Sequence, residues 1–183
     1  MSVFISCFEE AAGVPAVTPQ AGYRLHRALA PDALFRYITV GEQAPDVPPG
    51  APVRAGEYEV VHTGDKASAP FDPDGNEPTV MFVNCFVIEP GREAEALAVW
   101  HAVNAYMVEQ PGYLWHKLHK RVNDDAAFAF VNVVEWESAQ AWQAAHDDGF
   151  RALVRPPLPF VSLPTLCELV GNGDRQSTPA LAP

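Results

Sequence analysis

Phe128–Trp136 reads FAFVNVVEW, and Phe35–Gln43 reads FRYITVGEQ. The match between them decides the fold, because three more segments pair off in the same order. Phe4-Ile5-Ser6-Cys7-Phe8 reads against Phe82-Val83-Asn84-Cys85-Phe86. Gly22-Tyr23 followed by Leu25-His26-Arg27 reads against Gly112-Tyr113 followed by Leu118-His119-Lys120. Gly56–Asp65 reads against Pro164–Asp174. Similar segments repeated in one order mark a duplication. Each is short, rich in Val, Ile, Phe and Tyr, and bounded by Gly, Pro or Asp, which are strand signals.

The halves differ between these strands. In the second half, Gly91–Glu109 carries Leu97, Trp100, Val103 and Met107 at helical spacing, and Gln110-Pro111-Gly112 ends it. Ser138–Val154 has Ser138 as N-cap and an apolar stripe of Ala141, Trp142, Ala145, Leu153 and Val154, stopped by Arg155-Pro156-Pro157. Strand–helix–strand–strand–helix–strand is a ferredoxin-like order. In the first half the connections are proline-broken: two prolines in Ala11–Gln20, four in Ala44–Ala55. The expected fold is therefore α+β, with ferredoxin-like antiparallel sheets in two repeats of one chain, the first repeat helix-poor. A sheet without helices must cover its apolar face with something else, and the other sheet is at hand. Two sheets packed face to face give a pseudo-dimeric α/β barrel. The expected boundaries are 1–65 for the degenerate repeat, 66–78 for a linker, 79–174 for the complete domain and 175–183 for a tail. Edge strands left by the stripped half would allow a homodimer.

The chain has 183 residues with a formal net charge of −11. That acidity argues against a nucleic-acid or anionic-membrane surface. No apolar run has the length to span a bilayer, and the opening MSVFISCFEE lacks the basic segment of a secretory signal. Cys7, Cys85 and Cys167 are odd in number and widely spaced. They read as reduced buried thiols of a cytoplasmic protein, not as a disulfide frame or zinc site.

Alternation places Phe128, Phe130, Asn132, Val134 and Trp136 on one face of their strand. Asn84 sits between Phe82 and Phe86 on another. Two amides on neighbouring strands, with an indole N–H further along, could converge in an apolar pocket between sheet and helices. The first half supplies an internal control: Ser6, Thr39 and Gln43 stand where Asn84, Asn132 and Trp136 stand. The repeat keeps its apolar pattern and loses this constellation. The competing reading makes both asparagines structural, bonded to backbone. Among the histidines, His119 is the candidate acid–base, because an unperturbed imidazole titrates near neutrality; by alternation it shares a face with Tyr113 and Trp115. No nucleotide, phosphate-loop or nucleophile-elbow motif occurs. Nor does a metal-ligand spacing, so no cofactor and no metal are expected.

Asn132-Val133-Val134-Glu135-Trp136-Glu137-Ser138-Ala139-Gln140-Ala141-Trp142 resembles the signature of the antibiotic biosynthesis monooxygenase (ABM) family, as does the Gln110-Pro111-Gly112-Tyr113 turn. The resemblance spans about Thr79–Val170. It implies a cofactor-independent oxidation of an electron-rich phenol or anthrone by O₂ to a quinone, with Asn132 and Trp136 as the Asn-x-x-x-Trp pair of anthrone-oxidising members. Trp142 stands where those members have a tyrosine, and Arg151 is the nearest match to their helical arginine. The expected roles are oxyanion or peroxide contacts for Asn132 and Trp136, and substrate positioning for Asn84. His119 or Arg151 would handle a proton or substrate charge, and Trp100, Trp115, Phe130 and Trp142 would form an aromatic lining. Partners would be a small aromatic substrate and O₂. A polyketide cyclase and a non-catalytic binding barrel are the alternatives. The haem-degrading relatives rank lower, because Phe150–Val154 lacks their axial histidine.

Overall fold

The computed structural model describes residues 2–9, 22–47, 52–65 and 78–172. The duplicated apolar segments form eight strands: β1 (Ser2–Glu9), β2 (Tyr23–Ala28), β3 (Phe35–Gly41), β4 (Val53–Asp65), β5 (Val80–Val87), β6 (Tyr113–Arg121), β7 (Phe130–Trp136) and β8 (Val161–Asn172). Helices α1 (Glu93–Met107), α2 (Ala139–Ala144) and α3 (Asp148–Leu153) all fall in the second half. The strands close one barrel in the order β1-β3-β2-β8-β5-β7-β6-β4. Cut at its two joins, this ring gives β4-β1-β3-β2 and β8-β5-β7-β6, the same strand order twice. The joins β2–β8 and β4–β6 are reciprocal, each pairing the second strand of one half with the fourth of the other. The sheets are thus sealed edge to edge as well as facing one another. A closed barrel has no free edge, so the edge-strand argument for a homodimer loses its basis.

Register confirms the duplication residue by residue. Ser6 pairs with Thr39 across β1 and β3, and Asn84 pairs with Asn132 across β5 and β7. Inside the barrel, corresponding residues touch each other. Cys7 and Cys85 place their sulfurs 3.8 Å apart. Phe35 and Phe128 meet edge to face with ring centroids 5.9 Å apart. Such self-contacts are what a two-fold relation through the barrel produces. Ile5, Ile38, Met81, Val83, Val131, Val133 and Cys167 complete this core. All three cysteines are free and buried. The bond with Cys85 and burial push the Cys7 thiol well up, and burial does the same at Cys167, so both stay protonated.

On the outer face of the second half, α1 buries Ala96, Trp100 and Met107, with Glu93 and Glu95 favourably placed in its first turn. Ser138 caps α2, its hydroxyl accepting the Ala141 N–H at 3.1 Å. The single helix expected over 138–154 is instead two. Asp147 interrupts it, its carboxylate accepting the Phe150 N–H at 3.0 Å and so starting α3. The Tyr106 hydroxyl donates to the same carboxylate at 2.6 Å, tying α1 to α3. Gly149 permits that approach, since a Cβ there would lie 2.5 Å from the Tyr106 hydroxyl. Strand β7 begins at Phe130, not Phe128. Phe128 belongs to the barrel interior while Phe130 packs outside, so the two do not share a face as alternation predicted. Residues 22–47 and 52–65 of the first half contain no helix. Ala11–Gln20, most of the expected linker and the tail lie outside the described residues.

Candidate active site

The outward side chains of β5 and β7 meet the helical layer around a cavity of about 280 Å³. Asn84, Asn132 and Trp136 line its floor, with Val134 between the last two. Trp100, Asn104 and Met107 of α1, together with His146 and Phe150, form its cover. The Asn84 carboxamide oxygen accepts the Ser162 hydroxyl at 2.7 Å, which fixes one amide from the neighbouring strand β8. The other amide is different. The Asn132 Oδ1 and the Trp136 Nε1 are both buried and find no hydrogen-bond partner. Asn132 is 9% exposed and Trp136 1%. A buried polar group left unpaired costs about 1–3 kcal/mol; Thr39 Oγ1, at the position corresponding to Asn132, is unpaired too, so the cavity beside Asn132 and Trp136 is what sets them apart. Four residues at about 3.3 Å each separate their backbones by about 13 Å, so the pair spans the cavity floor instead of gripping a single point.

His146 is held between Trp142 and Phe150, with ring centroids 4.3 and 4.4 Å away. Its Nδ1–H donates to the Trp142 carbonyl at 2.7 Å. That bond fixes the tautomer and leaves Nε2 as an unprotonated acceptor. Burial lowers the imidazole's pKa, which keeps it a neutral base at pH 7. A second hollow of about 530 Å³ shares Phe82, Asn84, His146, Phe150 and Ser162 with the cavity. Leu29, Ala30 and Ala33 line it too, so the first half contributes to the same neighbourhood.

Of the residues singled out from sequence, the cavity gathers Asn84, Trp100, Asn132 and Trp136. Trp142 lines the adjoining hollow. Phe130 packs one row away, with Phe86, Trp100 and Leu118. Trp115 packs against the barrel interior, its indole N–H bonded to Glu135. His119 is also turned inward, bonded through Nδ1 to the Val131 carbonyl at 3.2 Å. It keeps the face of Trp115, while a bulge between Tyr113 and Trp115 turns Tyr113 to the opposite face, toward the cavity. His119 has a counterpart in the half that lacks the constellation: His26 pairs with Ile38 as His119 pairs with Val131. Burial lowers both pKa values. Arg151 projects into solvent, 68% exposed and paired with Asp148 at 2.7 Å; the short α3 points it away from the cavity. Sequence reasoning passed over His146, Asn104, Tyr113 and Ser162. Tyr113 stood in the Gln110-Pro111-Gly112-Tyr113 turn, and His146 four residues after Trp142 and next to the capping Asp147. Among the described residues no group of three or more His, Cys, Asp or Glu is arranged to hold a metal ion, and no helix is long and apolar enough to cross a membrane.

The family model described as antibiotic biosynthesis monooxygenase matches residues 79–154. No curated protein sequence matches the chain. Among solved structures, an anthrone oxidase-like protein aligns over 98% of this chain and 96% of its own, with a TM-score of 0.61 and 16% identity. A ferredoxin-fold protein related to antibiotic biosynthesis monooxygenases, from Listeria monocytogenes 4b F2365, aligns over 93% and 94%, with a TM-score of 0.50 and 13% identity. SnoaB, a cofactor-independent oxygenase from Streptomyces nogalater, aligns over 56% of this chain and 98% of its own, with 28% identity and a TM-score of 0.42. The first two alignments run nearly end to end and show that both halves share the fold of those proteins.

Proposed function

We propose, from the match of residues 79–154 to the antibiotic biosynthesis monooxygenase family model, that the chain is a cofactor-independent monooxygenase acting on an electron-rich polycyclic phenol or anthrone. The observation that carries this reading is the pair of unpartnered buried groups, Asn132 Oδ1 and Trp136 Nε1, on two residues that line one largely aromatic and aliphatic cavity. A half-turn of the amide offers its NH₂ group in place of the oxygen.

For an anthrone the balance is anthrone + O₂ → anthraquinone + H₂O. Loss of a ring C–H proton gives a delocalised anion with its charge on the carbonyl oxygen. That anion passes one electron to O₂. The two radicals combine at the carbon that lost the proton, and the hydroperoxide eliminates water. The protein excludes water, orients the rings and holds the developing charge. Asn132 and Trp136 divide between them the carbonyl oxyanion and the oxygen added across the ring, as groups set apart along one strand can. Asn84, fixed by Ser162, positions the substrate. His146 presents its unprotonated Nε2 at the cavity wall as a hydrogen-bond acceptor for a substrate hydroxyl.

The same reading assigns 79–174 to the working unit and 1–65 to a half that supports it, joined by 66–78 and followed by the tail 175–183. The buried thiols fit a reducing compartment such as the cytoplasm. The test is O₂ uptake with 1,8-dihydroxyanthrone as substrate. One O₂ is consumed per quinone formed, and the folded Asn132→Ala variant falls about 10²–10³-fold, the usual cost of one oxyanion donor. Wild-type uptake by Asn132→Ala would refute the assignment. Turnover of a polyketide-like substrate without O₂ would mark a cyclase instead.

A further inference from the structure

At the β4–β6 join the first half brings His62 of β4 against β6 of the second half. Its Nδ1 lies 2.9 Å from His116 Nε2 on β6, and the two rings stack at 15° with centroids 5.1 Å apart. The other nitrogen of His116, Nδ1, is hydrogen-bonded to the Tyr113 hydroxyl. Tyr113 is a cavity-lining residue whose ring stands edge-on to Trp136, with centroids 5.6 Å apart. At the outer end, His62 is partly exposed and the ring of the exposed His101 on α1 lies 5.5 Å away. Three groups from two halves therefore form one file from cavity wall to surface.

From this geometry we infer that Tyr113, His116 and His62 form a proton relay, with His62 supplied by the helix-poor half as the outlet. The inference rests on the oxygenase reading for the proton it carries. With the Tyr113 O–H donating to His116 Nδ1, and His116 Nε2–H donating to His62 Nδ1, both imidazoles are neutral and all donors point outward. When a bound phenol or anthrone gives its proton to the Tyr113 oxygen, the Tyr113 proton moves to His116 Nδ1. The His116 Nε2 proton moves to His62 Nδ1, and His62 releases its Nε2 proton to water. One proton leaves the substrate and one enters solvent, and every relay group ends neutral with its hydrogens exchanged between nitrogens. Ring reorientation or the reverse passage of the water-forming proton resets the file.

Two features support a concerted passage. Burial, with His62 adjacent, holds the pKa of His116 down to about 4, and burial with nearby Asp65 pushes that of Tyr113 up. Neither imidazolium nor phenolate is favoured as a resting state, so the protons move together. Gly64, facing His116 across the join, is the second feature. A Cβ there would lie 2.5 Å from His116 Cε1. The backbone is cut back where the ring must stand. His116 also falls where the duplication breaks: four residues separate Tyr113 from Leu118, but only Arg24 separates Tyr23 from Leu25. The first half thus donates His62, and no counterpart of His116 stands between its Tyr23 and Leu25.

Two measurements separate the relay from the oxygenase reading. Ring ¹⁵N spectra of the unliganded protein report the tautomers without any turnover. Protonation of His116 on Nε2 alone, with that proton coupled to His62 Nδ1, is expected. A His116 protonated on Nδ1, or on both nitrogens, overturns the outward chain. In O₂ uptake with 1,8-dihydroxyanthrone, His62→Ala is expected to lower kcat about 10²-fold, the lower end of acid–base contributions, with KM little changed. Added imidazole should restore the rate, because the vacated position opens to solvent. A His62→Ala variant with wild-type kcat and solvent isotope effect overturns the relay while leaving the oxygenase reading intact. Absence of O₂ uptake by the wild type defeats the oxygenase reading, and the spectra still judge the relay.

Discussion

Two asparagines meet across β5 and β7 beneath three helices, while Ser6 and Thr39 meet at the same register across β1 and β3. Ser6, Thr39 and Asn132 are buried and Asn84 is half-buried, and both barrel halves carry the same interior pattern. Among the described residues, a cavity joining a paired amide to an indole lies in the helix-covered half. The comparison separates what the barrel needs from what the site needs. The barrel needs alternating apolar strands and two reciprocal joins, and both halves supply these. The site needs a helical cover over the outer face, and the polar residues differ where that cover exists.

The largest expected effect tests the shared part. Phe35→Ala and Phe128→Ala remove corresponding rings that pack on each other. Each should cost about 3–5 kcal/mol in urea unfolding, by similar amounts in the two halves. Markedly unequal losses would mean that the barrel is not energetically two-fold. The next effect tests the unshared part. Asn132→Ala should lose about 10²–10³-fold in kcat/KM, or about 2.7–4 kcal/mol. Thr39→Ala, at the corresponding position, should leave turnover unchanged. Comparable losses from both would erase the distinction between the halves.

Acid should then weaken both halves through buried histidines. Burial, the largest cause in each, lowers His26 in the first half and His116 in the second to about 4. Their unfolded values lie near 6.5, so the unfolded chain binds more protons between those limits. The stabilisation is therefore complete above about pH 6.5 and is lost as pH falls toward 4. Each histidine contributes about 3 kcal/mol to that fall, at about 1.4 kcal/mol per pKa unit. Urea midpoints measured from pH 7 to pH 4 should decline throughout, and His26→Leu should make the decline shallower. A flat profile would contradict the neutral buried state. The smallest effect belongs to Arg151→Ala. With its side chain in solvent and paired only to Asp148, the variant should keep O₂ uptake within about twofold of wild type, since exposed pairs contribute ~0–1 kcal/mol. A large loss would restore the role that family resemblance implies.

The strands and their repeat were legible because alternation and turn residues are local signals. So were Asn84, Asn132 and Trp136, since face assignment within one unbroken strand follows from counting residues. Counting failed at β6, where the bulge after Tyr113 put that residue on the face opposite Trp115 and His119. It failed again at α2 and α3, where a capping aspartate split one apolar stripe and set His146 at the junction. His62 was beyond local reading altogether. Its partner lies 54 residues away on a strand of the other half, and only closure of the barrel brings them together.

In the proposed reaction Asn132 and Trp136 face one ligand in the cavity. That arrangement is tested most directly by following the four tryptophan indole N–H signals as an anthraquinone, the expected product, is titrated into the ¹⁵N-labelled protein. The account predicts a saturable downfield shift of the Trp136 signal, weakened in Asn132→Ala, with the Trp115 signal unmoved because its N–H is already bonded to Glu135. A Trp136 signal that stays in place at saturating anthraquinone would contradict it.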